Sequence, residues 1–335
     1  MKHALPTILA TRVRSAVATL VAVLDLAACG AQGSGGGGQE YPTGQITLIV
    51  PFAAGGTATT TARALAPYFE RELGRQVIVK NVPGGSGAVG MNELVNAKPD
   101  GHTLIVASNS TAVLNPLVNN VGYTKDSYTP VGLFARVPHL LTVPAGSPYK
   151  SAADLLEAAR QRPGKITIGT SGATTVQSIE LKALAKALNV DLKIVPFDGG
   201  AGALTALLGG NVDATLSNED ETLPQIEAGK LAAVAVTGGA RSAFVPNVPT
   251  LEEQGISAPG ADSYVSFYGL AAPLKTPPAT VSRLERTLRG ALSDKAIGDG
   301  FTRIKIKPEF QPATAFRTLI DKSDGIYRPI TSGHQ

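Results

Sequence analysis

The sequence predicts an α/β protein of two lobes, each a mainly parallel sheet flanked by helices. Three observations predict it. Short apolar runs alternate with amphipathic stretches from Tyr41 onward in a βαβαβ order, the same order restarts near Ser151, and a strand–helix pair returns after residue 263. The 335 residues are 43% hydrophobic and 17% charged, enough apolar material for a substantial core. The 37 glycines and 23 prolines suit a fold with many short loops.

In the first group, Ile46 to Pro51 reads as a buried strand and Thr57 to Leu73 as a helix ended by Gly74. Val77 to Lys80 is a strand, Ala88 to Ala97 a helix after a glycine-rich loop, and Thr103 to Ala107 a strand. The second group opens on a capping box, Ser151 with Asp154 three residues on, and its helix closes near Pro163-Gly164. Strands then follow at Lys165 to Gly169, Leu192 to Pro196, Asp213 to Leu216 and Leu231 to Val236. The intervening helices are Thr174 to Leu188, Gly202 to Leu208 and Glu219 to Ala228. Val265 to Ala271 is a strand, and Pro278 to Leu292 a helix with proline at its start. The chain is expected to cross between lobes near Val137 to Val143 and again near Ser263 to Leu270. That divides it into a first lobe of 41–140 plus 264–335, on which the tail packs, and a second lobe of 141–263.

The first forty residues carry a different message. Lys2, Arg12 and Arg14 precede an apolar run from Ser15 to Leu24, and Leu26-Ala27-Ala28-Cys29 resembles the lipobox of bacterial lipoproteins. A run of ten is too short to span a bilayer, which takes about 20 residues. Residues 1–28 are therefore read as a lipoprotein signal peptide, and residues 29–40 as a lipidated cysteine followed by a flexible glycine-rich tether. Cys29 is the single cysteine, so no disulfide forms within one chain, and acylation gives it a purpose. Without Lys2, Arg12, Arg14 and Asp25 the chain has 27 basic and 25 acidic residues, which is no nucleic-acid footprint.

Catalytic constellations are sparse. His102, His139 and His334 stand at no metal-ligand spacing, and HExxH, CxxC and GxxxxGK[ST] are missing from the sequence. Gly169-Thr170-Ser171-Gly172-Ala173 falls short of a nucleophile elbow, ending in alanine. Gly85-Ser86-Gly87-Ala88-Val89-Gly90 matches GxGxxG, but Pro83 interrupts the turn, and no carboxylate follows the next strand to hold a ribose. No enzyme activity, nucleotide cofactor or metal is expected.

Four strand-to-helix junctions carry the better signal: Phe52 to Thr59, Ser108 to Thr111, Thr170 to Thr175, and Phe197 to Gly200. Loops at the carboxyl ends of parallel strands line the ligand crevice of an open α/β sheet. Helix N-termini there offer unpaired N–H groups to an anion, glycine permits close backbone approach, and Ser or Thr hydroxyls donate. None of the four loops holds a Lys or Arg. The candidate contacts are Gly55, Gly56, Thr57, Thr59, Ser108, Asn109, Ser171, Thr174, Thr175 and Asn218.

From Tyr41 to about Ala272 the chain resembles the solute receptors of tripartite tricarboxylate transporters, the Bug or TctC type. The resemblance rests on ordered motifs. Ile49-Val50-Pro51-Phe52 leads to Gly55-Gly56 and Ala62-Arg63, then Asn81, Pro83-Gly84, Gly87 to Gly90 and Pro99-Asp100-Gly101 with Thr103-Leu104. Gly169, Gly172 and Gln177 precede Val195-Pro196 with Gly199, Leu207 to Gly210 and Val212-Asp213. Ala228 to Leu231, Val236-Thr237, Arg241-Ser242 and Val248-Pro249-Thr250 complete the series.

The resemblance implies a type II periplasmic-binding-protein fold that closes around a di- or tricarboxylate or related acid. It also implies delivery to a membrane partner of one large and one small subunit. The receptor itself is expected to be a monomer, held at the membrane by the lipid on Cys29. A sensor presenting its bound metabolite to a signalling receptor is the alternative. The chain departs from the family pattern at Thr59, where aspartate is usual, at Ser178 for histidine, and at Phe197 for tyrosine. After Asn218 it carries Glu219-Asp220-Glu221, which either complement a helix dipole or meet a cationic group on the ligand.

Overall fold

The computed structural model describes Met1, residues 41–257 and residues 264–331. The signal segment, Cys29 and the glycine tether lie outside the described residues, as does Ser263. The described residues from Pro42 onward form one compact unit.

The apolar run Ile46–Val50 is β1, a central strand between Val77–Asn81 (β2) and Thr103–Ser108 (β3), parallel to both. A strand covered on both faces reads as a continuous apolar run, and four of its five residues are buried. Between β1 and β2 lies α1, Thr57–Leu73. Its buried Ala58, Ala62, Leu65, Phe69 and Leu73 recur at three- and four-residue spacing along one face. Gly74, at φ 64°, ends the helix in the left-handed conformation that glycine adopts without strain. A 3-10 turn at Gly85–Gly87 precedes α2, Ala88–Val95, two residues shorter than the periodicity predicts. After β3 the chain makes a π-helical turn at Ser110–Leu114 and the short α3, Asn115–Val118.

The expected crossing near Val137 to Val143 belongs to a longer strand, β4, Tyr128–Pro144. Pro130 and Pro138 argue against one strand in the sequence, because proline cannot donate to a ladder. In the fold the ladder shifts register between Pro130 and Gly132, and Pro138 is the last residue paired to the first sheet. That first sheet runs β2-β1-β3-β9-β4, where β9 is Val265–Pro273, antiparallel to β3 and β4.

From His139 onward β4 pairs with the second sheet. It contains β5 (Thr167–Thr170), β6 (Lys193–Pro196), β7 (Ala214–Asn218) and β8 (Leu231–Val236). β5 lies parallel between β6 and β7, and β4 is antiparallel to β7 and β8. The helices of this half are α4 (Ala152–Gln161), α5 (Val176–Leu188), α6 (Gly200–Leu208) and α7 (Glu219–Glu227). The predicted capping box is present: the Asp154 N–H donates to Ser151 Oγ at 3.1 Å, and the Ser151 N–H to Asp154 Oδ2 at 3.0 Å.

After β9 come α8 (Pro278–Ser293), α9 (Lys295–Arg303), β10 (Pro308–Pro312) and α10 (Ala313–Thr331). β10 pairs with β4, and α10 packs on the same strand. The first core gathers Ile49, Met91, Ile105, Leu133, Phe267, Phe316, Ile320 and Tyr327. A second gathers Leu141, Val143, Leu155, Ile168, Leu184 and Leu216. Phe267 and Phe316 meet edge to face at 5.5 Å. Phe316 reaches the sheet because Gly269 has no side chain: a Cβ there would overlap its ring and stand 2.7 Å from the Gly132 carbonyl oxygen. Phe316→Ala empties this contact and is expected to lower stability by about 3–5 kcal/mol, read from the urea midpoint at unchanged m-value.

Candidate ligand cleft

A cleft lies where the carboxyl ends of parallel strands from both sheets meet. Phe52 and Ala53 follow β1, Ser171 follows β5, Gly199 and Gly200 follow β6, and Asn218 ends β7. Tyr268 of β9 and Gly56 to Thr59 at the start of α1 complete the lining with Glu221 of α7. The cavity volume is about 30 Å³, room for one or two waters rather than for an organic acid. The lobes are closed here.

Two glycines let the walls come this close. Gly199 turns into α6 at φ 125°, and a Cβ on Gly200 would overlap the Glu221 carboxylate. Gly56 caps α1 without a side-chain acceptor, so the first N–H groups of that helix look elsewhere. The Thr57 N–H donates across the cleft to Glu221 Oε1 at 3.3 Å. Thr57 Oγ1 donates to Asp220 Oδ1 at 2.9 Å, lies 3.3 Å from Glu221 Oε1, and accepts from Asn218 Nδ2 at 2.8 Å. The Asn218 amide also donates to the Tyr268 hydroxyl at 2.7 Å and accepts from Gln177 Nε2 at 3.1 Å. Thr57 is thus one of the points at which the two lobes touch through polar atoms.

Of the residues singled out by sequence, Gly56, Thr57, Thr59, Ser171 and Asn218 line this cavity. Gly55, at φ 101°, shapes the turn before α1 and faces Ala201. Thr59 accepts from Asn81 Nδ2 at 2.8 Å, which ties the α1 loop to β2. The others lie elsewhere. Thr175 is the N-cap of α5, accepting from the Ser178 N–H and donating to the Gly172 carbonyl. The Thr174 hydroxyl accepts from Asn119 Nδ2 at 3.1 Å, and Thr174 borders a separate cavity of about 250 Å³ with Lys182 and Ile179. Asn109 braces β9 and α10, accepting from the Phe267 N–H at 2.7 Å and reaching the Tyr327 hydroxyl at 3.2 Å. Ser108 is buried in the first lobe, its hydroxyl without a partner.

Sequence reasoning missed Tyr268, whose strand was legible but whose face was not. It also did not place Asp220 and Glu221 against Thr57. The departure residues are accounted for locally. Ser178 is buried and donates to the Gly172 carbonyl at 2.6 Å, holding the β5–α5 turn. Phe197 packs on Gly169 and Gly202.

A second polar array sits where β4 passes from the first sheet to the second. His139 Nε2 lies 2.9 Å from Ser266 Oγ, and His139 Nδ1 lies 2.8 Å from Glu180 Oε2. The order Ser–His–Glu has the look of a hydrolytic triad. All three side chains are buried and none lines the cleft, so a substrate has no approach to Ser266. The array joins β4, α5 and β9 instead. Among the described residues no group of three or more His, Cys, Asp or Glu is placed to hold a metal. No helix of the described residues is long and apolar enough to cross a membrane.

Fold and cleft together define a two-lobed solute-binding protein. Residues 61–326 match the family described as the tripartite tricarboxylate transporter family receptor, and the chain belongs to that family. Its members are solute-binding proteins, not enzymes. A curated relative from Agrobacterium vitis, a UPF0065 protein in the TAR-I ttuE-ttuC' intergenic region, is 32% identical over 81% of this chain and 78% of the relative. The solved structure of MatC from Rhodopseudomonas palustris with bound malate is 27% identical, with a TM-score of 0.81 over 87% of this chain and all of that one. A second R. palustris protein, solved with adipate, is 29% identical, with a TM-score of 0.82 over 88% of this chain and 98% of that one.

The acids of α7 make stability sensitive to pH. Burial pushes the Glu219 carboxyl from its ordinary 4.5 up to about 7, although its hydrogen bond with Ser242 opposes the shift. Burial, reinforced by the neighbouring Glu221 charge, raises Asp220, and burial raises Glu221. A carboxyl harder to ionise when folded holds its proton after the unfolded chain has lost it, so stability falls as pH rises. For Glu219 the loss runs from pH 4.5 to about 7. Glu219→Gln is therefore expected to flatten the decline in unfolding temperature between pH 5 and pH 8, measured in the ligand-free protein. An unchanged slope would remove Glu219 as its source.

Proposed function

We propose that this chain is an extracytoplasmic, lipid-anchored receptor that captures a small carboxylate, a di- or tricarboxylate or related organic acid, between its two lobes. It delivers the acid to the large and small membrane subunits of a tripartite transporter. The lobes comprise 41–140 with 264–335, and 141–263, with Cys29 as the site of acylation. The reading is carried by one observation. The N-terminus of α1 and the carboxyl ends of β5, β6 and β7 converge on Thr57, from opposite lobes, around a cleft without Lys or Arg. Dipoles and hydroxyls there suit reversible capture, each helix terminus contributing roughly 0.3–1 kcal/mol and up to about 2 kcal/mol when sheltered.

Closure of the lobes belongs to this reading. A receptor is an equilibrium of open and closed forms, and a solute shifts it by its differential affinity for the closed one. The malate and adipate bound by the two relatives support a small acid as the solute.

A thermal-shift screen of small organic acids tests the assignment. Solute at about 100 times its Kd adds about 2.7 kcal/mol, a rise of several degrees for a domain of this size. Thr57→Ala with Ser171→Ala removes two hydroxyls from opposite lobes and is expected to weaken binding of the solute so found about tenfold or more. Unchanged affinity in a folded double variant would move the site out of this cleft. Cys29→Ala is expected to release the protein from membranes into the soluble fraction.

A further inference from the structure

The cleft described above contains two carboxyl groups of its own, and they bear on what the solute must carry. Glu221 is the one charged residue among those lining the cavity, and Asp220 stands directly behind Thr57. Neither carboxylate meets a Lys or Arg among the described ion pairs. Resting on the small-acid reading, we propose that the solute also carries a protonated nitrogen, and that Glu221 and Asp220 receive it. The solute class is a zwitterionic amino acid in the broad sense, with the carboxylate at the Thr59–Ser171 side of the cleft and the ammonium at α7.

A count of donors supports this. Glu221 Oε1 takes the Thr57 N–H and competes with Asp220 Oδ1 for the single Thr57 hydroxyl proton. Glu221 Oε2 is buried and has no hydrogen-bond partner at all. The cleft is therefore short of donors at one end, and an ammonium brings three of them with a compensating charge. A diacid would bring a further carboxylate to a place that already has two. Buried without a Lys or Arg partner among the described residues, these carboxyls favour their neutral form, and an entering ammonium supplies the counter-charge that lets them ionise against it.

Helix capping accounts for only part of the arrangement. Glu221 is the third residue of α7, and its carboxylate receives the Asn218 backbone N–H, as in the return half of a capping box. Acids in a first turn also suit the helix dipole. Capping needs one oxygen, however, and is satisfied as well on a solvent-exposed face. It explains neither the unpartnered Oε2 nor the reach of Asp220 across the cleft to Thr57. Glu221 presses so closely on Gly200 that no larger residue fits between them, so this carboxylate is held inside the cleft.

The competing account makes Glu221 a stand-in for the solute's own carboxylate at the α1 terminus, displaced when a diacid binds. Calorimetry on the full chain separates the two with matched pairs: 4-aminobutanoate against succinate, 6-aminohexanoate against adipate, and aspartate against malate. The amino member of at least one pair is expected to bind more tightly. Glu221→Gln and, separately, Asp220→Asn should each weaken it by about 30-fold or more, as loss of one partner of a buried charge pair does. The preference within each pair is read on the wild type and does not depend on a variant folding. Diacids binding as tightly as their amino partners, or more tightly still to Glu221→Gln, would overturn the inference and leave the acid-receptor reading intact. Silence toward every acid, with 1,6-diaminohexane bound instead, would overturn both.

Discussion

The hydrogen-bond ladder along β4 is the constraint on which the rest of the molecule depends. Residues 128–138 belong to the first sheet through β9, and His139 to Pro144 belong to the second through β7 and β8. One extended segment therefore fixes the separation and relative orientation of both lobes at a single line. An extended strand neither stretches nor shears easily, so the motion left to the lobes is rotation about this crossing. The buried His139, paired with Glu180 on α5 and Ser266 on β9, stands where the strand changes sheets and ties the three elements together there.

The cleft follows from that geometry. Parallel strands on either side of the crossing end facing one another, so helix N-termini and glycine turns from both lobes meet at Thr57. A site made this way contains few charged groups by construction, because its walls are backbone, hydroxyls and one amide. The two carboxyl groups at the start of α7 are therefore the titratable groups that set its response to a charged solute. Similar folds in relatives solved with malate and adipate show how much solute chemistry the scaffold admits while the sheets stay alike.

Much of this was legible in the sequence, for identifiable reasons. β1, β3 and α1 were readable because central parallel strands are apolar throughout and α1 keeps one buried face over seventeen residues. The capping box at Ser151 and the αL glycine at Gly74 marked ends that the fold reproduces. β4 was hidden because Pro130 and Pro138 look like breaks, and only the register shift and sheet change show how a ladder absorbs them. β10 was hidden because Pro308-Glu309-Phe310-Gln311-Pro312 has little strand character, and its place is set by its neighbour. Within the site, the loops could be found by rule. Which side chain of a loop faces inward could not, since Asn109 and Thr175 serve bracing and capping as readily as binding. The reach of Asp220 to Thr57 spans 163 positions and has no local signal.

The position of α10 has a bearing on how the chain acquires its shape. Phe316, Ile320 and Tyr327 lie in the first core beside Ile49 and Ile105, so the last helix completes a structure begun by the first strand. The second lobe, by contrast, draws its core from one uninterrupted stretch between Leu141 and Ile256. A ribosome or a translocation pore delivers residues in order, so the middle of the protein can close its own core while the beginning still waits for the end. Nascent chains stalled before Ala313 would hold a finished second lobe and an open first one. Chaperone contact and proteolytic risk would then fall on the first-lobe strands, which are made before the helix that covers them.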